Sequence, residues 1–266
     1  MYQTTYHRPS SVDEAVALFA KGSDSKYLAG GHTLIPVMKQ RLASPSDVID
    51  LGKIKELIGN ERSGDGIIIK AATTHYDVAT SDTVKKAILA LSYLASLIGD
   101  PAVRHRGTIG GSLANNDPAA DYPAAVLALG ATVKTNKRSI SADDFFKGLF
   151  TTALEDGEII TAVSFPVQAK AGYSKFNHPA SRFALTGVFV ARTQAGDVRV
   201  AATGASQSGV MRVPAIEAAL KANWSAGAID GVNISAAGLM SDIHGTSDYR
   251  ANLIKVMAQR AVTAAG

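Results

Sequence analysis

Ala29-Gly30-Gly31-His32-Thr33 and Thr108-Ile109-Gly110-Gly111-Ser112 are two glycine-rich turns about eighty residues apart. A Gly-Gly pair admits φ > 0 without steric cost and lets backbone N–H groups approach a ligand that a Cβ would hold off. Successive N–H groups turned inward make a nest for anionic oxygens. Each turn has a hydroxyl residue beside its glycines and apolar sequence around it. Together they suggest two jaws closing on a diphosphate.

The surroundings of the first turn read as a small βαβ unit. A strand is expected at residues 26–29 and a helix from Thr33, as its N-cap, to about residue 42, because Pro36 then falls in the first turn. Residues 47–51 read as the next strand. The glycines would thus stand at a helix N-terminus, where the dipole and free N–H groups favour anions. Upstream, Ser11-Val12-Asp13-Glu14 is a capping box for a helix over residues 12–21.

Around the second turn, residues 67–71, 132–135 and 159–165 have strand character, the last closed by Pro166. Helices are expected over 74–80, 83–98 and 121–129. From Gly172 onward, strands at 185–192 and 198–203 flank the hairpin signal Gln194-Ala195-Gly196-Asp197. Helices follow over 214–221, near Ala226, and over 249–264, where Leu253, Ile254, Val256, Met257 and Val262 supply a buried face. The pattern is α+β in three joined pieces: 1–55, 56–170 and 171–266.

Composition narrows the chemistry. The chain has 266 residues, 46% of them hydrophobic, a net charge of +4 and no cysteine. Without cysteine it offers no disulfide, no thiolate zinc site and no ordinary iron–sulfur ligands. Its basic residues are scattered, without the dense stripe of a nucleic-acid surface. Apolar runs are too short to span a bilayer. The first residues have no apolar signal core, so a cytoplasmic location is expected.

Several polar residues stand near the turns. Asp117 and Asp121 could accept from ribose hydroxyls; equally, Asp117 could shape a turn before Pro118 and Asp121 could cap a helix. His32 could donate to a phosphate oxygen or pack within its loop. Arg104, His105 and Arg106 could balance a diphosphate or form a solvated basic turn. His75 and His178 have no partner at metal spacing, and no metal site is expected. A nucleophile elbow, a Walker lysine and the G-x-G-x-x-G spacing are all missing.

Residues 29–36, 100–112 and 117–121 resemble the FAD-binding medium subunit of molybdenum hydroxylases. The family includes the carbon monoxide dehydrogenase medium chain and the flavin domain of xanthine dehydrogenase, and the likeness runs over essentially the whole chain. It implies the FAD-binding fold of the vanillyl-alcohol oxidase type. Two N-terminal α/β subdomains would hold FAD, and a C-terminal sheet-and-helix subdomain would close over the flavin. By position, Ala29, Gly30, Gly31, His32 and Thr33, with Thr108, Ile109, Gly110, Gly111 and Ser112, would bind the diphosphate. Asp121 would lie near the adenosine ribose and phosphates, Ile160 would give backbone contacts, and Lys175 matches a lysine near the flavin. Arg182 stands where relatives of the carbon monoxide type often carry an acid, so carbon monoxide is not inferred as substrate.

The resemblance also gives the cysteine-free composition a meaning. Two [2Fe–2S] clusters and the molybdopterin cofactor would lie on an iron–sulfur small subunit and a molybdopterin large subunit, in a dimer of heterotrimers. This chain would carry no catalytic acid, base or nucleophile; its FAD would relay electrons to an external acceptor. A stand-alone flavoprotein oxidoreductase of the same fold and a nucleotide-binding module without redox work are the alternatives.

Overall fold

The computed structural model describes all 266 residues. β1 (Thr5–His7), α1 (Val12–Phe19), β2 (Ser25–Leu28), α2 (Leu34–Lys39) and β3 (Asp47–Asp50) form the first layer. The Ser11 hydroxyl caps α1 by accepting from the Glu14 N–H. β3 lies between β1 and β2 and runs parallel to both, so β2, α2 and β3 make the βαβ unit read from the first turn. Two details differ. Thr33 already has near-helical angles and its side chain makes no cap bond. The helix stops at Lys39, not near residue 42, because Arg41 turns left-handed at φ 61.

The second layer opens with β4 (Asn60–Ser63), β5 (Gly66–Lys70), α3 (His75–Thr80), α4 (Asp82–Ala87) and α5 (Leu89–Ser96). The single helix expected over 83–98 is two helices, broken at Ile88 with φ −146 and ψ 85. The break serves packing: Val84 and Ile88 join Leu91, Leu94 and Ala95 in one core. The Ser92 hydroxyl, donating to the Ala79 carbonyl at 2.7 Å, ties α5 back to α3.

Next come α6 (Pro101–Arg104), α7 (Ile109–Asn115), α8 (Tyr122–Ala128), β6 (Thr132–Thr135), β7 (Ser139–Ser141), α9 (Ala142–Phe145), β8 (Phe146–Gly148), β9 (Thr151–Thr152) and β10 (Ile160–Pro166). Five strands pair antiparallel in the order β4-β5-β10-β6-β7, with β10 central. The second glycine pair is not a loop: it forms the first turn of α7.

The last layer is an antiparallel sheet of β11 (Lys170–Asn177), β12 (Ala184–Arg192), β13 (Val198–Thr203) and β14 (Met211–Arg212), with α10 (Pro214–Ala222) and α11 (Ser247–Ala265). β11 escapes a sequence reading because it holds no β-branched residue to mark it. β12 is buried along nearly its whole length, since α8 packs on it as well as α11. Tyr173, Phe189, Ala191 and Ala201 of this sheet share a core with the second layer. α11 buries Leu253, Ile254, Met257 and Val262 as read, whereas Val256 is only partly covered.

Gly172 is where α11 meets β11 most closely: a Cβ there would lie 1.9 Å from the Ala261 carbonyl oxygen. Backbone cannot yield as a flexible side chain can, so Gly172→Ala should destabilise the chain by about 2–3 kcal/mol through overpacking. Urea unfolding measures this. The same change at Gly231, where a Cβ would meet nothing, should cost less than about 0.5 kcal/mol.

Candidate functional site

A cavity of about 610 Å³ lies between the layers. Its walls come from the first glycine turn, the start of α7, the stretch entering β10, and Ser181 to Phe183 before β12. Sites for small molecules and cofactors span roughly 300–1,000 Å³ and are mostly apolar with a few placed polar groups. Leu51, Leu57, Ala72, Leu154 and Ile160 are among the apolar walls here.

The two turns differ in what they offer. None of the backbone N–H groups from Ala29 to Thr33 donates within the chain. Gly31 reaches φ 77, and all five residues line the cavity. This is a row of free donors at the start of α2. In the second turn every backbone N–H from Ile109 to Ser112 is taken, and only that of Thr108 is left without a partner. Ile109 N–H goes to the Thr73 carbonyl at 3.2 Å and Gly110 N–H to Ala71 at 2.8 Å. Gly111 N–H goes to the Thr108 hydroxyl at 3.1 Å and Ser112 N–H to the Thr108 carbonyl at 3.0 Å. The expected pair of facing nests is therefore one nest facing a closed helix start.

The glycines divide their work in the same way. A Cβ at Gly30 would fall 2.3 Å from the Arg106 carbonyl oxygen, so the first turn rests on the backbone leading to the second. A Cβ at Gly110 would overlap Ala71 at 2.6 Å. Gly111 is different. Its Cβ would meet only the Thr108 hydroxyl at 3.0 Å and the Ala29 Cβ at 3.5 Å, in the space between the turns. Thr108, Gly110, Gly111 and Ser112 line the cavity, but Ile109 does not: its side chain is fully buried in the core.

Asp121 lines the cavity but is 4% exposed and makes no side-chain cap for α8. Its carboxylate accepts from the Tyr173 hydroxyl at 2.5 Å and from Lys175 Nζ at 3.0 Å. Lys175 also donates to the Leu97 carbonyl at 3.1 Å and stands behind Asp121, outside the cavity wall. Burial pushes the Asp121 carboxyl up against the opposing pull of Lys175 and Tyr173. Asp117 does shape a turn, accepting from the Ala119 N–H at 2.9 Å, and also lines the cavity. His32 and Ile160 are in the wall; His105 stacks on Tyr76 with ring centres 4.0 Å apart, away from it.

Two residues in the wall carry no local sequence signal. His75 is buried, its Nδ1 has no partner, and burial, then His32 and Arg104, lowers its pKa to about 3. It is a neutral imidazole, seated where Gly107 has no side chain: a Cβ there would be 2.5 Å from Nε2. Glu158 is held by Arg138 at 2.9 and 3.0 Å and by the Thr135 hydroxyl at 2.7 Å. The Arg138 bonds are the largest cause holding its pKa at about 2. Both positions follow from long-range packing that no neighbouring residues announce.

Free backbone donors beside a largely apolar cavity of this size fit a protein that binds a cofactor with an anionic group. The chain belongs to the family described as the FAD binding domain in molybdopterin dehydrogenase, whose pattern matches residues 2–168. It is 36% identical to the nicotine 6-hydroxylase medium subunit of Paenarthrobacter nicotinovorans, over 98% of this chain and 96% of that one. It is 34% identical to the carbon monoxide dehydrogenase medium chain of Hydrogenophaga pseudoflava, with the same coverage. Among solved structures, reconstituted CO dehydrogenase from Oligotropha carboxidovorans superposes with a TM-score of 0.89 at 33% identity, covering 99% of this chain and 97% of that one. The chain is thus the FAD-binding medium subunit of a multi-subunit molybdenum hydroxylase, an oxidoreductase by class. No helix is long and apolar enough to cross a membrane.

Because Glu158 is depressed in the folded state, its contribution to stability is complete above about pH 4.5 and is lost as pH falls toward 2. Glu158→Gln should remove roughly 2 kcal/mol at pH 6, allowing for the part-exposed Arg138, and flatten the decline of stability in that acid window. Urea unfolding of both proteins at several pH values checks it.

Proposed function

We propose that the chain holds FAD with its diphosphate on the free N–H groups of Ala29 to Thr33, where α2 adds the favourable end of its dipole. The observation that carries this reading is that unspent row of donors, opposite a Gly111 whose missing side chain leaves room between the turns. Thr108 and Ser112 would offer their hydroxyls from the facing wall, and Gly110, whose N–H is already given to Ala71, would only shape it. Ile109 would act only through the core beneath it. Asp121 would serve as a buried anchor braced by Lys175 and Tyr173, with its cavity-facing edge toward the cofactor. Ile160 would close the apolar wall.

Bound FAD supplies the electron uptake that no side chain here provides, in transit from a [2Fe–2S] partner to an external acceptor. The absence of cysteine supports placing both clusters on a separate small subunit, and the molybdopterin cofactor would lie on a large one. Their assembly would be a dimer of heterotrimers. The relatives are named for nicotine and for carbon monoxide, so the oxidised substrate belongs to the partner that binds it.

Gly111→Leu should separate binding from folding. A Cβ at Gly111 meets only the Thr108 hydroxyl that caps α7 and the Ala29 methyl group, with the cavity beyond them, and leucine favours a helix over glycine by about 0.8 kcal/mol. The variant should therefore keep its urea midpoint while its FAD affinity falls at least about a hundredfold by fluorescence titration. Wild-type protein that folds yet takes up no FAD would overturn the proposal.

A further inference from the structure

The buried side-chain atoms without a hydrogen-bond partner are His75 Nδ1, the Tyr122 hydroxyl, Trp224 Nε1 and Arg250 Nε. The first two belong to neighbours: the rings of His75 and Tyr122 lie with centres 5.4 Å apart and planes tilted by 50°. Buried polar atoms in native proteins are nearly always paired. Two unpaired atoms on adjacent rings therefore call for one common explanation.

Both rings are fixed by main chain. His75 opens α3, and its N–H donates to the Gly107 carbonyl at 2.9 Å. Tyr122 opens α8 directly after Asp121 and is fully buried. Burial, and then the Asp121 carboxylate, push the Tyr122 hydroxyl's pKa up, so it keeps its proton and needs an acceptor. Burial, and then His32 and Arg104, keep His75 from taking a second proton. One of its nitrogens thus carries a hydrogen and the other a lone pair.

A count of donors decides which. With the ring proton on Nδ1, that atom and the Tyr122 hydroxyl are two buried donors side by side, and a water between them would have both its own protons stranded. With the proton on Nε2, the hydroxyl donates to the water and the water donates to Nδ1 in one chain. Each unmet buried donor costs its full desolvation, so the second arrangement wins. A water held by two protein groups is within the range of buried sites.

The other nitrogen faces the cavity. His75 lines it, and Nε2 makes no hydrogen bond within the chain, yet unlike Nδ1 it is not sealed from the cavity. Its position beside both turns follows from two close approaches. A Cβ at Gly30 would lie 2.7 Å from Gly107 Cα, and a Cβ at Gly107 would lie 2.5 Å from Nε2. The first turn, Gly107 and the imidazole are thus packed in a row.

We propose that Tyr122, through one bridging water, holds His75 as the Nε2–H tautomer, and that this N–H donates to the diphosphate of the cofactor from beside the second turn. The inference rests on the FAD reading above. It gives a wall whose backbone donors are spent, except at Thr108, a rigid side-chain donor instead. Because the ring is neutral, the cavity buries no unpaired cation before the anion arrives.

Proton–nitrogen correlation spectra of the chain labelled at histidine read the tautomer before any cofactor is added. His75 should carry its proton on Nε2 near neutral pH. Tyr122→Phe removes only a hydroxyl that has no partner in the chain, and it should leave a mixture of both tautomers. On adding FAD to wild type, the Nε2 proton should move downfield. By fluorescence titration, FAD affinity should fall about tenfold in His75→Leu, the low end for a hydrogen bond to a charged group. His75→Gln, whose amide nitrogen reaches the Nε2 position, should recover most of that loss, with urea midpoints showing that both variants fold. Should His75→Leu not fold, the tautomer and the FAD-induced shift decide by themselves. A proton on Nδ1, an Nε2 resonance indifferent to FAD, or equal FAD affinity of wild type and His75→Leu overturns the proposal. Failure of wild type to take up FAD overturns the cofactor reading instead, and the tautomer of the free chain still decides whether Tyr122 sets the ring.

Discussion

The Asp121–Lys175 contact is the constraint on which the cavity depends. It joins the start of α8 to β11 across 54 residues of chain, at the seam between the five-stranded and four-stranded sheets. Withdrawing a carboxylate and an ammonium from water costs several kcal/mol per ion and is offset only when the remaining hydrogen-bonding capacity is also met. Here the Tyr173 hydroxyl completes the carboxylate and the Leu97 carbonyl takes a second ammonium proton. The cost of burial is thereby tied to one relative placement of the two sheets. Loss of either partner would leave an uncompensated charge, so the cavity wall cannot drift without breaking the core beside it.

A second layer of rigidity comes from main chain packed on main chain. Gly30 on the Arg106 backbone, Gly110 on Ala71 and Gly172 on α11 are all contacts that admit no side chain. They set the distance between the first turn and α7, and between the last helix and its sheet. Proteins transmit strain through such contacts because close-packed interiors do not deform gradually. The cavity between the layers is consequently a gap framed by fixed edges.

How much of this was legible in the sequence follows from what each feature depends on. The βαβ unit, the β12–β13 hairpin and the long final helix were readable because capping residues, turn glycines and periodic apolar residues are local signals. β11 was not, since Lys170 to Asn177 holds no β-branched residue and is specified by the partners it packs against. The break at Ile88 was hidden because each half of that segment is a good helix and only the shared core requires a bend. In the site, the glycine turns were visible, but the closure of the second by Ala71, Thr73 and Thr108 was not, nor was the entry of His75 and Glu158 into the wall. Asp121 reads from the sequence as a ribose acceptor or a helix cap; the structure gives it no cap bond, and its partners Tyr173 and Lys175 lie fifty residues away and could not be read beside it.

The row of unspent donors at Ala29 to Thr33 has a genetic corollary. On the reading proposed above, a binding surface made of main chain is the same whatever the side chains are, so most codon changes at His32 or Thr33 would leave its chemistry standing. The ways to lose it are few: a proline that deletes a donor, a side chain at Gly30 or Gly31 that displaces the turn, or a change of loop length. Sequence drift in this segment should therefore be read by what it does to backbone shape, and a pair of glycines can persist as the signature of a site whose neighbouring letters have all changed.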